Sequence, residues 1–174
     1  MILSIISAIG NNNEIGRKNG LLWDLPIDMK HFRETTSGHP VIMGQRTFES
    51  LGVDSNGNPG KPLPNRRNIV LTLDKEFKRD NIETVYSTEE LDELLKNTMK
   101  EDEEAFLIGG GQIYKLLLNK TNRLYITHVN ESFPDADTYF PTIDENIWKK
   151  VSENKHQKND KNIYDTNFVI YEKI

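Results

Sequence analysis

A carboxylate stands in an apolar stripe near the start of the chain: Leu25, Asp28 and Phe32 fall at helical spacing on one face, with Met29 beside them. Two readings fit. Pro26 opens the helix, and an acid at its third position favours the positive end of the helix dipole without any further role. If the stripe instead faces inward, burying the carboxylate is expensive, and a ligand or protein group must donate hydrogen bonds to it.

A second candidate is FLIGGGQIY, Phe106 to Tyr114, where a strand runs through three glycines into a helix. Such glycines let backbone approach a ligand, and amides at a helix start favour phosphate. Neither GxGxxG nor the lysine-containing phosphate loop is present, because Tyr114 stands where the last glycine would be. A tight structural turn explains the glycines equally well. In PVIMGQRTFES the strand ends at Gly44, and Arg46 and Thr47 open a short helix. That is either another anion cradle or a solvated arginine beside a capping threonine. The basic pair Arg66 and Arg67 taken alone reads as surface charge.

The elements that must position these residues alternate in type. Ile2 to Ile9, Val41 to Met43, Asn68 to Leu73, Thr84 to Tyr86, Ala105 to Ile108 and Leu124 to Val129 read as strands, most of them apolar on both faces. Between them, Pro26 to Thr36, Arg46 to Leu51, Glu89 to Met99 and Gln112 to Leu118 read as helices. Ser87 and Glu90 form a capping-box pattern, followed by a stripe of Leu91, Leu94, Leu95 and Met99. Trp148 to His156 and Ile163 to Ile174, joined by polar QKNDKN, predict an antiparallel terminal hairpin. The expected fold is therefore α/β: a central, mostly parallel mixed sheet flanked by helices, with an antiparallel hairpin at the end. The Gly-, Pro- and Asn-rich run from Gly52 to Asn65 reads as an exposed loop rather than a linker, so residues 1–174 are expected to form one domain.

Composition narrows the chemistry. A chain of 174 residues with 36% hydrophobic and 28% charged residues is long enough to bury a core without disulfides. A net charge of -5 argues against broad nucleic-acid binding, so an anionic ligand must meet a local basic site. With no cysteine there is no thiolate nucleophile, and His31, His39, His128 and His156 lack metal-ligand spacing. The apolar MILSIISAIG lacks a basic leader and is too short to span a bilayer, so it reads as a buried strand, with cytoplasm the default location.

Taken in order, ILSIISAIGNNNEIG, NGLLWDLPIDMKHF, PVIMGQRTFES, KPLPNRRNIVLT, FLIGGGQIY and LYITHV resemble the dihydrofolate reductase family over nearly the whole chain. The resemblance implies reduction of dihydrofolate to tetrahydrofolate by hydride transfer from NADPH, in a monomer with no nucleic-acid or membrane partner. It implies that Asp28 pairs with the pteridine's amino group and ring nitrogen, while Ile6, Ala8, Met29, Phe32 and Ile108 wall the pocket. Leu51 and Leu63 would pack on the aminobenzoyl part, Arg66 would hold the glutamate α-carboxylate, and Tyr114 and Thr127 would support the ring and the acid. Gly10 to Asp24 looks like the family's active-site loop, with Ile15, Gly16, Asn19, Gly20 and Leu21 closing over the nicotinamide and Trp23 ordering water. Leu22 replaces the family's proline there, which removes a fixed φ.

On the cofactor side, Ala8, Gly44, Gln45, Arg46, Thr47, Leu71, Thr72, Gly109, Gly110, Gly111, Gln112, Ile113 and Tyr114 match the family's dinucleotide positions. Gln45 departs from the usual arginine, which removes a charge near the phosphates. Asp28 is the only ionisable candidate at the reacting ring, either as the acid itself or as an electrostatic partner of a water near Trp23. Two rivals are a same-fold reductase of a ribosylated pyrimidine in riboflavin synthesis and a non-catalytic pterin or nucleotide-binding module. Joint presence of Asp28, Phe32 and Arg66 disfavours the first, and the loop through Trp23 the second.

Overall fold

The apolar run at the amino end forms β1 (Ile2–Ile9), and the sheet grows on both sides of it in a computed structural model that describes residues 1–174. The chain continues through β2 (Glu14–Gly16), α1 (Pro26–Thr36), β3 (Val41–Gly44), α2 (Gln45–Glu49), β4 (Asn68–Leu71), β5 (Glu83–Val85) and α3 (Thr88–Thr98). It ends with β6 (Glu104–Gly109), α4 (Gly111–Leu117), β7 (Arg123–Val129), β8 (Thr138–Tyr139), β9 (Trp148–His156) and β10 (Thr166–Lys173). Eight strands pair in the order β5-β4-β3-β6-β1-β7-β10-β9. Only β10 runs against its neighbours, so the sheet is mostly parallel and closes with the expected hairpin.

The period-two alternation of a strand assigns β1 to two cores. Leu3, Ile5 and Ile9 join Leu91 and Leu95 of α3 and Ile113 and Leu117 of α4 on one face. Ile6 belongs to the other, in a cluster with Phe48 and Phe106, with Phe32 of α1 packed at its margin. A third cluster, Trp23, Leu25, Val129 and Phe133, lies where the segment before α1 meets the carboxyl end of β7.

Several boundaries differ from expectation for identifiable reasons. The strand expected to reach Leu73 stops at Leu71, because the Thr72 hydroxyl accepts a hydrogen bond from the Asp74 amide at 3.1 Å and turns the chain. The terminal strand starts at Thr166 rather than Ile163, since residues before it form a turn whose Asp165 carboxylate accepts from the Lys158 amide. That turn has a distant client: α1 has no side-chain cap of its own, and the Asn162 side chain accepts from the Ile27 amide at 2.9 Å. His31 of α1 also stacks on Phe168 of β10, ring centres 4.1 Å apart. At α3, Ser87 caps the Glu90 amide as expected, but the Glu90 carboxylate reaches back to Tyr86 rather than to Ser87. The short antiparallel pair of β2 with β8 is an addition to the expected elements.

The loop after α2 is ordered by its own polar groups. Asp54 accepts from the amides of Asn56 and Asn58, both at 2.8 Å, and Gly60 donates to the Gly52 carbonyl. Gly60 is buried at φ +101°, and a Cβ there would lie 2.3 Å from the ring of fully buried Phe48. Gly60→Ala is therefore expected to lower unfolding stability by about 1–3 kcal/mol from overpacking alone, with left-handed strain in addition. Urea denaturation checks this, and an unchanged midpoint would refute the close packing of loop on Phe48.

Candidate active site

Parallel pairing sets the carboxyl ends of β1, β3, β4, β6 and β7 along one edge of the sheet, the edge at which open α/β sheets take ligands. There Gly44 lies in register with Leu71, and Met43 with Gly109. Two adjacent strands thus end in glycine and feed α2 and α4 side by side. An added Cβ at Gly110 would come within 3.3 Å of the Thr47 hydroxyl, and one at Gly44 within 3.2 Å of Ile113. The glycines therefore keep backbone amides open at a place where Thr47 supplies a hydroxyl, which suits a phosphate-bearing ligand. The Gly109–Gly110 peptide is cis.

Around this cradle the expected cofactor residues fall into distinct surroundings. Ile113 and Tyr114 are buried in α4, and Leu71 and Thr72 at the end of β4, whereas Gln112 and Arg46 are exposed. Arg46 has no acidic partner within ion-pair distance. Gln45 is committed to protein: its carbonyl accepts from the Thr72 hydroxyl at 2.6 Å and its amide donates to Glu49 at 3.0 Å. The loop from Gly10 to Asp24 leans over the cradle, since a Cβ at Gly111 would meet Ile15 and Thr138. Asp137 holds that loop by donating its amide to the Gly16 carbonyl and accepting from the Lys18 amide. Arg17 and Gly20 bridge through their backbones, Asn19 takes a left-handed φ of 60°, and Leu21 is 65% exposed.

The other half of the site is apolar. Phe32, Leu51, Leu63 and Ile108 pack against the cluster that contains Ile6, and Ala8 against the one that contains Trp23. Met29 is 47% exposed and lies outside these clusters, unlike the other expected wall residues. Beside this niche Asp28 is half-buried with no cationic partner. Burial pushes its carboxyl above the usual range, and the hydroxyl of buried Thr127 opposes this in part. Tyr114 donates to the Ile6 carbonyl at 2.9 Å; burial, and secondarily the nearby Asp28 charge, keep its hydroxyl protonated. The Trp23 indole N–H is buried with no protein acceptor, which leaves a donor for a small polar ligand.

The two neighbouring arginines separate cleanly. Arg67 forks onto Glu83 and also donates to Thr98. Arg66 donates to the Pro64 carbonyl and the Thr36 hydroxyl, lies 6.0 Å from the Phe32 ring centre, and has no carboxylate partner. Burial and the adjacent positive charge of Arg33 both weaken its hold on its proton, so an anion placed here relieves them. Sequence reasoning missed Glu14 and Phe133, which hold the base of the loop; the acid within the run NNNEIG was the available signal.

A glycine cradle on one side of the edge and an acid in an apolar niche on the other leave two ligands to meet between them, the plan of a nucleotide-dependent α/β enzyme. A family model for dihydrofolate reductase matches residues 2–173. Dihydrofolate reductase of Bacillus subtilis is 40% identical over 172 residues, covering 99% of this chain and 95% of that protein. Dihydrofolate reductase type 3 of Salmonella typhimurium is 38% identical, covering 97% of this chain and 96% of that protein. The solved structure of Enterococcus faecalis dihydrofolate reductase complexed with NADP(H) and RAB-propyl superposes with a TM-score of 0.84 at 31% identity, covering 99% of this chain and 96% of that one. The chain belongs to the dihydrofolate reductase family.

The raised pKa of Asp28 has a consequence for stability. The fold is favoured while the acid is protonated, below its unfolded-state value of 3.8, and loses that advantage as pH rises through the higher folded-state value. Ligand-free Asp28→Asn should therefore melt above the wild type at neutral pH, with the gap closing in acid. A wild type at least as stable at neutral pH would show that the carboxylate is not strained by burial.

Proposed function

We propose that this enzyme reduces 7,8-dihydrofolate to 5,6,7,8-tetrahydrofolate with NADPH, in the site between Asp28 and the glycine cradle. The observation that carries this is Asp28 itself, a half-buried acid without a cation, in an apolar niche that a ligand bearing N–H donors would complete.

When bound, NADPH supplies the hydride, and the reduction also requires a proton on the adjacent ring nitrogen. Gly44, Thr47, Thr72, Gly109, Gly110 and Gly111 would hold its phosphates and ribose, with Ala8, Ile15, Gly16, Asn19, Gly20 and Leu21 around the nicotinamide. Leu71, Gln112, Ile113 and Tyr114 complete that side, and exposed Arg46 is the free charge nearest the cradle in sequence. Gln45 contributes no charge and its head group is already engaged, so we read the preference for NADPH over NADH as resting on Arg46. Asp28 would accept from the pterin's amino group and ring N–H, oriented by Thr127. Ile6, Ala8, Met29, Phe32, Leu51, Leu63 and Ile108 would exclude water and align the ring. The unpartnered Trp23 N–H supports a water as the proton's carrier, with Asp28 acting electrostatically. Arg66 would clamp the glutamate carboxylate.

We further read residues 1–174 as one domain acting as a cytoplasmic monomer. Both sheet edges are poor templates for another chain: β5 has three residues, and β9 is mostly exposed and carries Lys149, Lys150 and Lys155. No helix is long and apolar enough to cross a membrane. Loss of reduced-nicotinamide absorbance on mixing the protein with NADPH and dihydrofolate, with tetrahydrofolate identified by mass spectrometry, tests the reaction; no tetrahydrofolate would overturn it.

Two substitutions test the assigned roles. Asp28→Asn should slow hydride transfer by roughly 10²- to 10⁴-fold, with partial recovery as pH falls and substrate arrives protonated. A rate within about threefold of wild type at all pH values would remove Asp28 from the mechanism. Arg66→Leu should weaken dihydrofolate binding roughly ten- to a hundredfold but leave a dihydropterin lacking glutamate unaffected. Arg67→Leu should spare both affinities and lower stability by about 0.2–1 kcal/mol, because it breaks the Glu83 pair. Equal loss for both ligands in Arg66→Leu would refute the clamp.

A further inference from the structure

Glu14 is the one charged residue among the buried side chains, 2% exposed, and the mechanism above does not use it. It has no cationic partner. Its Oε2 accepts from the Asn12 amide at 2.7 Å, and its Oε1 accepts from the Phe133 amide at 2.9 Å and the Asn12 side chain at 3.2 Å. Space around it is closed as well: a Cβ at Gly10 would lie 2.5 Å from Oε2 and 2.9 Å from the Phe133 ring. The backbone adds to the same knot, with Gly10 donating to the Glu14 carbonyl and Asn11 to that of Glu131. The Glu14 carboxylate is thus the side-chain link between the turn after β1 and the turn after β7, and it reaches Phe133, two residues beyond the backbone bond from Asn11 to Glu131. Phe133 lies next to the site, its ring centre 5.0 Å from that of Trp23.

We propose that Glu14 is a positioning residue for reduction: its carboxylate locks the turn through Phe133 against the end of β1, and the Phe133 ring then sets the place of Trp23. This rests on the reading of Trp23 as part of the dihydrofolate site. Burial opposes ionisation of Glu14, but the amides of Phe133 and Asn12 outweigh it and hold the carboxyl below its usual range. The clamp is therefore anionic at neutral pH. A displaced Trp23 slows the chemical step more than it weakens binding, because Asp28, Phe32 and Arg66 are not part of the knot.

The chain has two tryptophans, and Trp148 is buried in β9 outside the cluster that holds Trp23, so 5-fluorotryptophan labelling gives one reporter at the clamp and one control. Trp148→Phe assigns the two resonances. In Glu14→Ala the Trp23 resonance should shift or broaden while that of Trp148 stays. The single-turnover reduction rate should fall roughly tenfold, with KM for dihydrofolate changed by less than about twofold. Glu14→Gln keeps the shape but must set an amide donor against one of the N–H groups, so it should give a smaller shift and an intermediate rate. If Glu14→Ala does not fold, Glu14→Gln decides alone. An unmoved Trp23 resonance with wild-type rate in Glu14→Gln overturns the proposal, as does a loss of melting temperature in Glu14→Ala with the rate per folded molecule unchanged. Failure of the wild type to reduce dihydrofolate would instead sink the functional reading, and the fluorine spectra would still judge the clamp.

Discussion

Parallel pairing of β1 with β6 and β7, and of β3 with β4 and β6, is the constraint from which the site follows. Because every parallel neighbour must return to the same end of the sheet, Ile9, Gly44, Leu71, Gly109 and Val129 finish along one edge. Buried strands cannot bend freely there, so the segments that leave them are aimed by the sheet. The glycines at Gly44 and Gly109 to Gly111 then decide how closely backbone can approach a ligand, and α1, crossing the opposite face, delivers Asp28 to the same edge.

That edge holds groups the fold alone would not choose. Asp28 is ionised at a loss in the free protein, Trp23 buries an unused donor, and Arg66 keeps a charge without an acid. Each is unfavourable or unsatisfied in the protein alone, and each is satisfied by one part of a folate-like molecule: ring N–H donors, a polar atom beside the ring, and a carboxylate tail. Local dissatisfaction of this kind is how a stable scaffold stores affinity for a ligand. Arg67 and Glu83, one residue along, show the opposite case of charges that complete each other.

Much of this was legible in the residues because it depends on near neighbours in sequence. Pro26 and the stripe through Phe32 gave the bounds of α1, Ser87 placed the start of α3, and buried β-rich runs gave the core strands. The glycines of FLIGGGQIY were ambiguous alone, since turn and cradle need the same freedom; only the register of Met43 with Gly109 brings a second glycine-started helix beside them. What escaped were pairings between distant segments. β2 and β8 are too short to carry a periodic signal, and the bonds from Glu14 to Phe133 and from Asn162 to Ile27 join residues more than a hundred positions apart. Family resemblance supplied the order of the site residues, but not these knots.

The link between Asn162 and Ile27, with Phe168 under His31, also bears on how the protein comes into being. On the ribosome the helix that carries Asp28 emerges well before its partners, since Asn162, which caps its first turn, and Phe168, which stacks on His31, lie more than a hundred residues later. Until the segment from Asn162 to Phe168 is made, the first turn of α1 lacks the side-chain acceptor that Asn162 supplies. The seating of the acid therefore waits on that segment, so the order in which the chain is made separates building the sheet from fixing the helix that carries Asp28.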